Sequence, residues 1–332
     1  MNRITEIPST RLLMLLAALL LLGLGGSVLL GYQLFSPLEL WHALAGADDP
    51  NAHILREWRV PRALLAPLVG TALALAGALL QSLTRNPLAA PELIGMNAGA
   101  ALAVVTLAFV AGSVGLAAIS GAALGGALGS ALLVYLVAGA EPGAAKLRLP
   151  LVGAALMLMF GALTQALLGY QESTLDQMLF WLHGSLAGRG YDMLNQGLPL
   201  LLAGLLLALL ALPHLDLFLL DEPLAASLGQ PVRRARWLAF GAAACLGSAA
   251  VVMAGPIPFV GLVAPHMARL LVGGRHRRLL PVAALLGALL LTLADIGARF
   301  IVYPDEAPVG ALVALLGAPL FLRLLQRRLG VA

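Results

Sequence analysis

The chain offers few groups that could do chemistry, and their types exclude more than they allow. His183-Gly184-Ser185 sets an imidazole beside a hydroxyl, but it lies in a polar loop with no nearby base to activate the serine. No G-x-x-x-x-G-K-[ST], H-E-x-x-H or G-x-S-x-G occurs, so the chain has neither a phosphate cradle of its own nor a familiar hydrolytic motif. Asp295 is the one carboxylate well inside an apolar stretch, and Arg299 follows four residues later, the spacing of a helical ion pair. A proton-coupled carrier is expected to place ionisable groups in its core, and such a relay is missing here. The single cysteine, Cys245, permits no intrachain disulfide and nothing suggests a metal cluster. His266, with Arg269 three residues on, reads as an interfacial hydrogen-bonding residue rather than a ligand.

Three polar segments remain that shape rather than react. Gln81 to Asn97 is an elbow between two apolar stretches, broken by Pro87 and Pro91 and followed by Gly95 and Gly99. Proline stops helix propagation and small residues let helices approach closely, so the segment reads either as a hinge at the mouth of a pathway or as a rigid turn. Asp221-Glu222-Pro223 to Gly229-Gln230-Pro231 reads as a short helix with Pro and Gly stops, with Arg233, Arg234 and Arg236 beyond it. Such a helix serves as a lever for a partner or as an anchor at lipid headgroups. Arg56, Arg59 and Arg62 cluster at the start of another stretch, either as interfacial anchors or, with Arg299, as a docking ring for carboxylates.

The elements that must position these residues follow from composition. The 332 residues are 61% hydrophobic and 11% charged, where soluble domains carry roughly 25% charged residues. The chain is therefore expected to be an all-α, polytopic membrane protein forming one transmembrane domain over residues 1–332. Its 37 glycines and frequent alanines suit close helix packing rather than a barrel. Ten spans are predicted, near 12–31, 61–82, 93–112, 114–138, 147–169, 191–212, 235–254, 256–272, 279–302 and 308–328. The boundaries at Gly112-Ser113 and Gly255-Pro256 are the least marked. With both termini cytoplasmic, only Arg56, Arg59, Arg62, Arg189 and Arg299 of the 20 basic residues face outward, as the positive-inside rule demands. The basic excess thus belongs to helix ends and points to no nucleic-acid partner. Ser36-Pro37-Leu38-Glu39 forms a capping box and predicts a short outer helix.

Taken in order, these segments resemble the FecCD-type permeases, membrane subunits of ATP-binding-cassette importers for ferric siderophores, haem and cobalamin. The resemblance runs from about residue 50 to the C-terminus. It rests on Arg59-Val60-Pro61-Arg62, Gln81, Asn86-Pro87-Leu88-Ala89 with Pro91 and Gly95, and Phe180-Trp181-Leu182-His183-Gly184-Ser185. It continues through Leu228-Gly229, Phe259 to His266 with Arg269, Ala294-Asp295 with Arg299, and Gly317-Ala318-Pro319.

The resemblance implies a type II importer permease in the inner (cytoplasmic) membrane. It pairs with a second permease subunit (a like copy or a sister chain), two cytoplasmic P-loop ATPases and a periplasmic or lipoprotein binding protein. Arg59, Arg62 and Arg299 would meet that binding protein. Asn86, Pro87 and Leu88, with Lys146 and Leu147 in a nearby turn, would form the cytoplasmic gate. Asp221, Glu222, Leu224, Ala225, Ala226, Leu228 and Gly229 would seat in the ATPase. The chain itself would bind no cofactor and catalyse nothing, ATP being used by the partner. Ferric siderophores are the leading cargo, with haem and cobalamin as alternatives. A secondary transporter is the reading from another class, and a membrane enzyme lacks any catalytic constellation.

Overall fold

The computed structural model describes residues 9–46, 49–112, 114–138, 145–170, 181–219, 232–302 and 305–329. Among these every regular element is a helix or a helical turn. α1 (Ser9–Leu29) leads to α2 (Pro37–Leu44), α3 (Pro50–Ile54) with a π-helical turn (Leu55–Arg59), and α4 (Val60–Thr84). After the elbow, a 3-10 turn (Pro91–Ile94) opens α5 (Met96–Ala111), followed by α6 (Leu116–Ala138) and α7 (Ala145–Tyr170). α8 (Tyr191–Leu215), a 3-10 turn (Asp216–Leu219), α9 (Val232–Ala254), α10 (Val260–Val272), α11 (His276–Ile301) and α12 (Val309–Leu329) complete the order. All ten predicted spans are helices. Among the described residues seven helices are long and apolar enough to cross a membrane, and α5, α10 and the described part of α12 are shorter apolar helices.

α4 is the hub. It packs against α9, α10 and α11, and 20 of its 25 residues are buried. Its sequence explains this, because Ala63, Ala66, Gly70, Ala72, Ala74, Gly77 and Ala78 present little bulk and let backbones meet. Gly70 and Gly287 of α11 face each other so closely that a Cβ on either would overlap the other's carbonyl oxygen. By contrast few residues of α7 and α8 are buried, and Leu158, Leu163, Leu202 and Leu209 are exposed, an apolar surface that a bilayer or a neighbouring subunit would cover. The predicted capping box forms. The Glu39 amide donates to Ser36 Oγ at 3.2 Å, and the Ser36 amide donates to Glu39 Oε2 at 2.7 Å. The Ser36 N–H and hydroxyl hold the Glu39 carboxyl below its ordinary 4.5.

The two least marked boundaries are true breaks, and both involve left-handed backbone. Gly112 (φ 73°) separates α5 from α6, and Gly255 (φ 75°) ends α9. Phe259 adopts φ 67° before α10, which therefore starts four residues later than predicted. The third span is shortened in the same way, since the 3-10 turn and Gly95 (φ 72°) precede α5. Lys146 and Leu147 are a correction of the same kind: they lie in the first turn of α7, not in a turn before it.

Candidate functional site

At one end of the bundle a charged cluster is built on α4 and α11. Arg62 grips Asp295 through Nε (3.0 and 3.1 Å to the two oxygens) and Nη2 (2.9 Å), and its Nη1 donates to Glu306 at 2.5 Å. Arg299 Nη2 donates to Asp295 Oδ2 and to Ser27 Oγ, and its Nη1 donates to the carbonyls of Ser27, in α1, and Leu30, just past its end. Asp295 is fully buried and Arg299 is 2% exposed. A carboxylate held by two guanidinium forks is a strong charge-assisted arrangement, and here it pins α1, α4 and α11 together.

Arg59 lies at the margin, half-buried. It donates to the Leu30 carbonyl (2.6 Å) and the Gln33 carbonyl (3.3 Å), with its guanidinium 5.8 Å from the Phe35 ring centre. Gly31 leaves room for it, since a Cβ there would overlap the guanidinium. Three guanidinium groups thus face the two carboxylates of Asp295 and Glu306, and the cluster keeps a positive excess. Arg62 and Arg299 differ from the expected docking ring in one respect. They are turned inward and already paired within the chain, because an unpaired cation inside a helix bundle would be costly.

At the other end, the last turn of α4 holds two neighbours by adjacent residues. Gln81 donates to the carbonyls of Gly261 and Leu262 (3.4 Å each) and accepts from Arg269 Nη2 at 3.1 Å, fixing α10. Ser82 Oγ lies 2.6 Å from His276 Nε2, fixing α11. The helix then stops at Arg85, which takes the left-handed conformation (φ 50°). Asn86 turns the chain: its Oδ1 accepts from the Leu88 amide (3.0 Å), and its carbonyl accepts from the Ala89 amide (3.0 Å). Asn86, Pro87 and Leu88 are partly exposed, whereas Ala89 and Ala90 are buried.

The chain then runs back beside α4. Pro91 packs on Gly261 and on Gly247, and Glu92 Oε1 accepts from the Phe259 amide at 3.2 Å. Gly261 also faces Gly77, seven residues and so roughly 10 Å short of the end of α4. Glu92 is therefore a second carboxyl group at depth, accepting from the backbone at the N-terminus of α10.

The loop at 181–189 is structural. Ser185 is 2% exposed and its amide donates to Ala254, while the Gly310 amide donates to the Gly184 carbonyl, so the loop wedges α9 against α12. An apolar cleft of about 470 Å³ opens between α10, α11 and α12. Its walls, including Phe259, Val263, Leu290, Leu312 and Gly317, offer a ligand no charged or hydrogen-bonding side chain.

The FecCD transport family model matches residues 15–327. The chain belongs to the FecCD transport family. This FecCD chain is 39% identical over 317 residues to the "Probable siderophore transport system permease protein YfiZ" of Bacillus subtilis (strain 168), covering 95% of each. It is 40% identical to the Fe(3+) dicitrate transport system permease protein FecD of Escherichia coli (strain K12), over 92% of this chain and 96% of that one. A solved structure described as "an inward-facing conformation of a putative metal-chelate type ABC transporter" superposes with a TM-score of 0.83 at 33% identity, covering 96% of this chain and 99% of that chain.

Within the FecCD chain, the structure joins Arg59, Arg62 and Arg299 in one cluster and Asn86, Pro87 and Leu88 in one turn. The backbone of Lys146 and Leu147 begins α7, which packs beside the 3-10 turn and α4. Asp221, Glu222, Leu224, Ala225, Ala226, Leu228 and Gly229 lie outside the described residues. Sequence reasoning missed Glu92 and His276, and took Asp216 only as the start of the coupling segment 216–231. Their signals were present: an acid in the middle of the elbow, an Asp closing the α8 stretch, and a His opening α11 after Gly273-Gly274.

Proposed function

We propose that the chain is the membrane-spanning permease of an ATP-driven, binding-protein-dependent importer of ferric siderophores, placed in the inner (cytoplasmic) membrane with both termini cytoplasmic. What carries the reading is the near full-length identity to siderophore and ferric dicitrate permeases, together with the shared fold of a metal-chelate type ABC transporter. The apolar cleft fits it, since a binding protein that selects the chelate relieves the membrane path of any need for a tight site. Secondary transport is disfavoured by the two carboxyl groups at depth. Asp295 is shared by two arginines and Glu92 accepts from a helix N-terminus, so neither stands as a free relay.

The assembly then needs a second permease subunit, two P-loop ATPases that use the ATP, and a periplasmic or lipoprotein binding protein. This chain supplies binding surfaces and motion, with no cofactor of its own. Residues 216–231, with Leu228 and Gly229 at the centre of the seat, transmit the stroke. The positive excess of the outer cluster attracts carboxylates of the binding protein. Of its arginines Arg59 is the one placed to meet them, while Arg62 and Arg299 hold the rim in shape.

The test is reconstitution with the ATPase and binding protein in liposomes, where chelate uptake should require ATP and the binding protein together. Uptake driven by a proton gradient alone would sink the reading. In the same system Arg59→Glu should weaken docking, by about 2–5 kcal/mol for a desolvated contact, and a carboxylate-to-Lys change on the partner should restore it. Docking indifferent to Arg59→Glu would remove that role.

The elbow is the cytoplasmic gate, with Leu88 filling the closed constriction near the two-fold axis. Single cysteines at 86 or 88, in a chain with Cys245 replaced, should cross-link two like copies in one nucleotide state and much less in another. An equal yield with and without ATP would make the elbow a static turn.

A further inference from the structure

Three polar groups from three elements meet where α4 ends. Asp216, the residue after α8, accepts from both the backbone amide (3.0 Å) and Nδ1 (2.7 Å) of His276, the first residue of α11. The other ring nitrogen of His276 lies 2.6 Å from Ser82 Oγ on α4. His276 is fully buried and Ser82 is 6% exposed, whereas Asp216 reaches the surface.

Donor accounting fixes how the link works. An ionised carboxylate only accepts, so Nδ1 carries a proton, and the neutral ring leaves Nε2 as an acceptor for the Ser82 hydroxyl. That hydroxyl has one proton, and the Ala78 carbonyl, 2.8 Å away, competes for it. The Ser82 hydroxyl stays within reach of both acceptors, and its contact with the ring ties α4 to α11 and, through Asp216, to α8. Burial opposes it, but the hydrogen bonds from His276 hold the Asp216 carboxyl below its ordinary 3.8, so the link is intact at neutral pH. Groups facing His276 are Asp216, Ser82 and the more distant Arg269.

Three residues beyond Ser82 the helix ends at the strained Arg85, and the elbow begins. Beside Ser82, Gln81 holds α10, so the last turn of α4 cannot shift without moving both neighbours.

We infer that Asp216, His276 and Ser82 form a strut that carries displacement of the cytoplasmic end of α8 to the last turn of α4, which makes His276 a positioning residue for transport. The inference rests on the importer reading, in which ATP-driven motion enters at this end. The strut differs from a staple in what its loss does: a staple gives stability, while a strut sets how much transport each ATP yields.

The experiment uses the complete complex in liposomes, with ATP hydrolysis and ferric-siderophore uptake measured on the same preparation. His276→Asn retains a donor in place of Nδ1 for Asp216 and loses Ser82; His276→Gln retains the reach to Ser82 and loses Asp216. Both, and Ser82→Ala, should hydrolyse ATP near the wild-type rate while uptake per ATP falls roughly 3- to 30-fold. Ser82→Thr, which keeps the hydroxyl, should restore the ratio, and Ser82→Ala combined with His276→Asn should be no worse than either alone. An unchanged ratio in Ser82→Ala and His276→Asn would overturn the strut, as would a loss that Ser82→Thr fails to rescue. Absence of ATP-dependent uptake in the wild-type complex would instead strike the importer reading itself.

Discussion

Asp295→Ala should be among the most damaging single substitutions in this chain, lowering stability by about 3–5 kcal/mol. Asp295 is fully buried and is the counter-ion of both Arg62 and Arg299. Its removal leaves two guanidinium groups inside a helix bundle with one carboxylate, Glu306 on Arg62, and neutral partners on Arg299, the Ser27 hydroxyl and the Ser27 and Leu30 carbonyls. Asp295→Asn keeps the shape and loses the charge, so it should fall between alanine and wild type. Arg62→Met added to Asp295→Ala should recover part of the loss, because it removes one of the stranded cations rather than a further partner. The measurement is unfolding of the purified protein in detergent, followed by helical signal and by the folded fraction against denaturant. Asp295→Ala within about 1 kcal/mol of wild type would show that the cluster is solvated and does not hold α1, α4 and α11 together. The same series bears on docking: reversal of Arg62 or Arg299 changes the fold, so a loss of partner binding in those variants says little about contact, and Arg59 is the informative position.

The two carboxyl groups at depth show what the sequence could and could not convey. Asp295 with Arg299 was legible because four residues on a helix put both side chains on one face. Arg62 was legible as a charge but not as the partner of Asp295, since 233 residues separate them and an apolar helix surrounded by other helices carries no polar face to orient it. The helices themselves were legible, because hydropathy and Gly/Pro punctuation mark spans directly. Their depth was not. Residue counts near 93 and 256 give apolar length, whereas the left-handed Gly95 and Phe259 decide where α5 and α10 begin. Glu92 looked like part of a surface turn for that reason. Only the return of the chain alongside Gly77 and Gly261 brings it to the Phe259 amide.

Gly77→Val should separate α4 from α10 and abolish uptake, because the contact at Gly77 has no part that can yield. A Cβ at 77 would overlap the carbonyl oxygen of Gly261. Gly261 is hemmed in turn by Pro91 (2.6 Å from where its own Cβ would lie) and by the Leu73 carbonyl oxygen (2.9 Å). Backbone and a proline ring surround the point, so the added methyls must push a helix rather than rotate a side chain. Overpacking of this kind costs about 1–3 kcal/mol, and more where no side chain can give. The shift would also pull Gln81, one turn further along α4, from the Gly261 and Leu262 carbonyls, and with it the support of the elbow. Gly77→Ala should show the same direction with a smaller loss of stability. Gly129→Ala on α6, where a Cβ would meet nothing within 4 Å, is the control and should cost no stability and leave uptake unchanged. Thermal unfolding in detergent and ATP-driven uptake in liposomes read the two effects. Gly77→Val with wild-type stability and transport would mean that α4 and α10 are not held at backbone contact in the working protein, and the role of α4 as hub between the Arg62–Asp295 cluster and the elbow would fall with it.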